Sequence, residues 1–95
     1  MTDKEILYIS TIAQCSSITK AAEKLFISQP SLTQALHRIE AEWGAELFLR
    51  GQGGLRLTEA GRIYLHAASQ MADLYQQLQQ EVSETSARMR GQMSL

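Results

Sequence analysis

A chain of 95 residues with one cysteine and a net charge of −1 has room for one small domain and an appendage, and it excludes an internal disulfide. No apolar run reaches membrane-spanning length and no signal-peptide pattern opens the chain, so a cytoplasmic protein with no membrane partner is expected. Residues 1–58 hold six Lys/Arg against six Asp/Glu, and residues 59–95 hold three against four. Any contact with a polyanion must therefore come from where the charges sit rather than from their sum.

Thr2-Asp-Lys-Glu5 fits a capping box, and Ile6, Ile9, Ile12 and Ala13 follow at helical spacing. This predicts a first helix over about 3–14. Cys15, within the same pattern, reads as a half-buried small apolar residue. Ser16-Ser17-Ile18-Thr19 is a polar break able to cap a second, short helix whose packing face is Ala21, Ala22 and Leu25. Adjacent alanines suit the close approach of another helix, and they suit equally a plain helix former.

The third helix is the most informative. Ser28 is a good N-cap, and Pro30, the one proline, falls in the first turn, where a missing N–H is harmless. Leu32, Ala35, Leu36, Ile39 and Trp43 then form one apolar arc, and Gly44 ends the helix, giving a span of about 29–42. Gln29, Thr33 and His37 run up one outer edge, with Pro30, Gln34 and Arg38 on the next. No carboxylate occurs among residues 29–39. Such a face suits contact with nucleic acid, since a carboxylate there would repel phosphate; a simple solvated face is the other reading. Two helices about four residues apart form a helix-turn-helix candidate.

Glu46-Leu-Phe-Leu-Arg50 and Leu55-Arg-Leu57 flank a glycine-rich turn and predict a β-hairpin, with Phe48 and Leu57 toward the core and Arg50 and Arg56 outward. Beside a helix-turn-helix, such a hairpin is a wing. Thr58 then caps a long helix. Ala68, Met71, Tyr75, Leu78, Val82, Thr85 and Met89 alternate steps of three and four, the seam of a coiled coil. About 30 residues make a rod of roughly 45 Å. A second copy is the simplest cover for that seam; a further domain is the alternative.

His37 and His66 lie in different elements, and no metal cluster or nucleophilic set is apparent. The chain does not read as an enzyme. The fold class expected is mostly α: a winged helix-turn-helix of three helices and a two-stranded hairpin, followed by a long dimerising helix.

Ser17-Ile-Thr-Lys-Ala-Ala-Glu-Lys-Leu25, Ser28-Gln-Pro-Ser-Leu-Thr-Gln-Ala-Leu-His-Arg-Ile-Glu40, Gly44-Ala-Glu-Leu-Phe-Leu-Arg50 and Leu57-Thr-Glu-Ala-Gly61, in that order, strongly resemble the N-terminal DNA-binding domain of LysR-type transcriptional regulators. The resemblance implies a DNA-binding domain at 1–58, a linker and dimerisation helix at 59–89, and at 90–95 the start of an effector-binding domain that would hold any small-molecule inducer. It implies no cofactor in this chain, double-stranded DNA and a second copy as partners, and a place on the nucleoid of a bacterium.

On this reading Gln29, Pro30, Ser31, Thr33 and Gln34 meet base edges. Thr19, Lys20, His37, Arg38, Arg50 and Arg56 meet phosphates. Ala68, Met71, Tyr75, Leu78, Val82 and Met89 form the dimer interface. The family often carries arginine at the positions of Gln34 and Gly53, and both differences lower the positive charge of the expected DNA face. The other reading is a winged helix that binds protein and has lost DNA binding.

Overall fold

Thr2 sets the start of the first helix: its Oγ1 accepts the Glu5 N–H at 3.1 Å. The reciprocal bond of a full capping box is absent among the described residues. The computed structural model describes residues 1–93, with side chains as far as Arg88. Helix α1 (Asp3–Cys15) closes at Ser16, which adopts a left-handed conformation and returns its N–H to the Ile12 carbonyl. Ser17 caps α2 (Ile18–Leu25) by accepting the Lys20 N–H. Phe26 ends α2 in the same left-handed conformation, and Ile27 N–H bonds back to the Ala22 carbonyl. Ser28 caps α3 (Gln29–Trp43), whose first turn holds Pro30 and whose end is Gly44 at φ +67°. No neighbour crowds that glycine; the positive φ alone calls for it.

Strands β1 (Phe48–Gly51) and β2 (Gly54–Leu57) pair antiparallel, with Phe48 opposite Leu57, Leu49 opposite Arg56 and Arg50 opposite Leu55. The Leu55 N–H reaches the Ser16 carbonyl at 2.9 Å. That docking brings Gly54, at φ +115°, so close to the Ser16 carbonyl that a Cβ would collide with it. Helix α4 (Glu59–Met93) completes the chain. It runs past the expected end at 89; residues 94 and 95, part of the segment expected to open a further domain, lie outside the described residues.

One core joins the elements: Ile9 and Ile12 from α1, Ala21 and Ala22 from α2, Leu32, Leu36 and Ile39 from α3, Leu47 from the segment before β1, Phe48 from β1 and Tyr64 from α4. The two alanines are buried, so here they serve close helix packing. Ile9, Ile12, Leu32, Ile39 and Leu47 are sealed from solvent; cutting any of them to alanine costs about 2–5 kcal/mol. Cys15 is half-buried against this core, as expected.

Trp43 departs from the sequence reading. It was placed on the buried arc of α3, yet it is 52% exposed. It sits one turn beyond Ile39, past the edge of the core, and meets Tyr64 edge-on with ring centroids 6.1 Å apart. The Tyr64 hydroxyl is buried without a hydrogen-bond partner. Its pKa is raised above the usual tyrosine value, first by burial and then by the nearby carboxylates of Glu5 and Glu42.

The rod also differs in its facing. Ala68, expected in the dimer seam, is buried against the chain's own domain together with Tyr64. The exposed apolar stripe is instead Ile63, Met71, Leu74, Tyr75, Leu78 and Val82. The first turns of α4 turn one side to the core, which removes Ala68 from the outer surface and leaves Ile63 and Leu74 on it. The side chain of Met89 lies outside the described residues.

Candidate nucleic-acid interface

Helix α3 divides its residues cleanly. Leu32, Ala35, Leu36 and Ile39 face inward, while Gln29, Pro30, Ser31, Gln34, His37 and Arg38 are exposed and Thr33 is half-buried. The face expected to protrude from the molecule does so. The N-terminus of α3 is well ordered for contact: Ser28 Oγ accepts the Ser31 N–H at 3.2 Å and donates its own proton to Ser31 Oγ at 2.7 Å. The Ser31 hydroxyl therefore keeps a proton to give outward.

The two outer edges open into different surroundings. Gln29, Thr33 and His37 border a groove of about 250 Å³ whose opposite wall is the hairpin, including Arg50. Ser31, Gln34 and Arg38 instead face the start of α1, where Thr2, Lys4, Glu5 and Tyr8 line a second groove, the Glu5 carboxylate beside the lysine. Lys4 was missed in the sequence. It lies far along the chain from Arg38, in a helix whose polar residues look merely solvated, and only the packing of α1 against α3 brings it to this face.

Arg50 and Arg56 are both exposed, as expected, but on opposite sides of the hairpin. Arg50 pairs with Leu55 and so shares the side of the hairpin occupied by Phe48 and Leu57, bordering the groove beside Gln29. Arg56 pairs with Leu49 on the opposite side. Strand alternation dictates this, since residues 48 and 50 are two apart. Arg38, Arg50 and Arg56 form no ion pair among the described residues, which leaves their charges free for an external anion. Lys20 and Thr19 are exposed in the first turn of α2. The Thr19 hydroxyl, expected to face phosphate, donates to Gln29 Oε1 at 3.2 Å. Among the described residues there is no group of three or more metal-ligating side chains, and no helix is long and apolar enough to cross a membrane.

The sequence matches a family model, the bacterial regulatory helix-turn-helix protein of the lysR family, over residues 4–62. The chain belongs to the LysR family. It is 34% identical over 92 residues to the uncharacterized HTH-type transcriptional regulator YkuM of Bacillus subtilis, covering 97% of this chain and 31% of that protein. The chain thus spans about a third of the length of that relative. Its fold superposes on the DNA-binding domain of CbnR in a complex with DNA, with a TM-score of 0.76 and 27% identity over 90% of this chain and 99% of that one. The BenM DNA-binding domain in complex with catB site 1 DNA gives a TM-score of 0.74 and 27% identity, covering 90% and 97%. Within the LysR family frame, α2 and α3 are the helix-turn-helix, the β1–β2 hairpin is the wing and α4 is the long helix that follows it.

Proposed function

We propose that this chain is the DNA-reading portion of a LysR-type transcriptional regulator, active in the cytoplasm, which binds double-stranded DNA sequence-specifically as a homodimer. The observation that carries the reading is the exposed face of α3 from Gln29 to Arg38, which holds no carboxylate and is flanked by unpaired arginines on α3 and on the wing. Seated in the major groove, α3 would bring Gln29, Pro30, Ser31, Thr33 and Gln34 to base edges, where a Gln34 amide suits adenine. Lys20, His37, Arg38, Arg50 and Arg56 would meet phosphates and fix the register. The free N–H groups at the start of α3 add a partial positive charge at the same place.

The stripe from Ile63 to Val82 supports the homodimer. Six large apolar side chains more than half exposed along one rod are costly in water, and burial of each is worth about 1.5–3 kcal/mol. A second copy of the same rod provides a matching stripe, and the pair would hold two α3 helices for two half-sites about a helical turn or a multiple apart.

Fluorescence titration of labelled duplexes at several salt concentrations tests the reading. Retention should fall as salt rises, with a slope of about −0.9 per phosphate neutralised. A duplex selected from a random pool should bind at least about 1,000-fold more tightly than unrelated DNA. No salt-dependent retention would favour the protein-binding winged helix instead.

A further inference from the structure

The hydrogen bond between Thr19 and Gln29 gives each side chain a defined role. Thr19 stands in the first turn of α2 and Gln29 opens α3, and the hydroxyl of the first donates to Oε1 of the second at 3.2 Å. A hydroxyl has one proton, and phosphate oxygens only accept. While Thr19 donates to Gln29 it has nothing to donate to the DNA backbone. Nor is Thr19 needed as a cap, because Ser17 already accepts the Lys20 N–H at 3.2 Å.

The consequence falls on Gln29. A free glutamine amide turns over readily and offers a carbonyl or an N–H₂ group as the partner requires. Here the carbonyl end is engaged by α2. Nε2 is left as the free end, with no hydrogen-bond partner among the described residues, on the surface where Pro30, Thr33 and Gln34 form the crest of α3. In the major groove, guanine and thymine present keto oxygens, whereas adenine and cytosine present amino groups at the corresponding positions. An amide leading with its N–H₂ group matches an acceptor, either a keto oxygen or the N7 of a purine. The usual adenine pairing needs Oε1 at the base as well, and Thr19 draws Oε1 away.

We propose that Thr19 is a positioning residue for Gln29, holding its amide so that the N–H₂ end leads toward the acceptor atoms of the base edges. This rests on the DNA-binding reading above and adds to it the residue that orients the first side chain of α3. Thr19 acts through Gln29, with no phosphate bond of its own.

The test uses the whole 95-residue chain and duplexes selected from a randomised DNA pool. Gln29→Ala first identifies the base pair whose preference it erases. At that pair, wild type and Thr19→Ser should prefer one base pair over the others by about tenfold. Thr19→Val keeps the shape and removes the proton, so its preference there should fall below about threefold, with affinity for unrelated duplexes unchanged. Three results would overturn the proposal: a Thr19→Val preference equal to wild type, an equal loss of Thr19→Val affinity on every duplex, or no base pair answering to Gln29→Ala. Wild-type protein that retains no duplex at all would be a different result, contradicting the DNA-binding reading on which the proposal stands.

Discussion

Glu40 and Leu47 are joined by a 2.6 Å hydrogen bond, the Leu47 N–H donating to Glu40 Oε2. It ties the later turns of α3 to the segment leading into β1. The Leu47 carbonyl in turn accepts the Thr58 N–H at 3.0 Å, and the Thr58 hydroxyl donates to the Glu46 carbonyl at 2.6 Å while accepting the Gly61 N–H at 3.0 Å. The reading helix and the rod are thus connected through the two peptide groups of one buried leucine.

Removing that carboxylate should loosen the junction. Glu40→Ala leaves a part-buried N–H without its acceptor, a loss of about 1–3 kcal/mol. Glu40→Gln keeps an oxygen that can accept and should lose less. Urea unfolding reads both, as a lower midpoint at unchanged slope. An alanine variant as stable as wild type would remove Glu40 from this role.

Tyr64 offers a test of opposite sign. Its hydroxyl is buried and unpartnered, so Tyr64→Phe should be neutral or stabilising by about 1 kcal/mol at neutral pH. The raised pKa adds a pH dependence. The native state holds this proton more tightly than the unfolded chain, whose tyrosine titrates near the model value of 10.0. The stability linked to it is therefore fully present below about pH 10 and declines as pH climbs from there through the raised native value. Tyr64→Phe should lack that part of the alkaline decline, which parallel denaturation series of the two proteins would show; identical curves would contradict it.

The rod separates two kinds of damage. Leu78 is exposed on the apolar stripe, whereas Ala68 is buried in the chain's own packing. Leu78→Glu should raise the dimer dissociation constant by about 100-fold or more, since each copy loses a buried leucine, and should leave the monomer fold intact. Ala68→Leu should destabilise the monomer by about 1–3 kcal/mol through overpacking. Sedimentation equilibrium and circular dichroism distinguish them. Leu78→Glu protein that still dimerises with wild-type affinity would rule the stripe out.

The two wing arginines should be unequal. Arg50 borders the groove beside Gln29, and Arg56 lies on the other side of the hairpin with Leu49. Arg50→Ala should flatten the salt dependence of DNA binding by about one unit per chain, and Arg56→Ala by less. Equal effects in salt titrations would place both against the backbone.

Much of this molecule was legible in the chain because its boundaries are chemical. Ser28, Pro30 and Gly44 announce α3 by capping, by a lost N–H and by a left-handed turn, each local to a few residues. The glycine-flanked run around Gln52 announced the hairpin in the same way. What was missed depends on how elements meet. Trp43 continues the apolar period of α3, and nothing along the sequence says that the core stops at Ile39. Ala68 fits the seam by spacing; its burial follows from the docking of the first turns of α4. Gly61 sits so tightly against the Leu47 carbonyl that no Cβ fits there, a contact between segments fourteen residues apart. The pairing of Thr19 with Gln29 joins two helices and could not be seen from either alone, and Lys4 comes to the interface by the same route.

The central claim is that the outward face of α3 reads bases while its flanking cations hold the backbone. Gln34→Ala and Arg50→Ala, each titrated on the selected duplex and on a scrambled one of equal length, test it most directly. Gln34→Ala should lose about 1–3 kcal/mol on the selected duplex and almost nothing on the scrambled one, whereas Arg50→Ala should weaken both alike and flatten the salt slope. Two variants that fall in parallel on both duplexes, or that leave both unchanged, would contradict it.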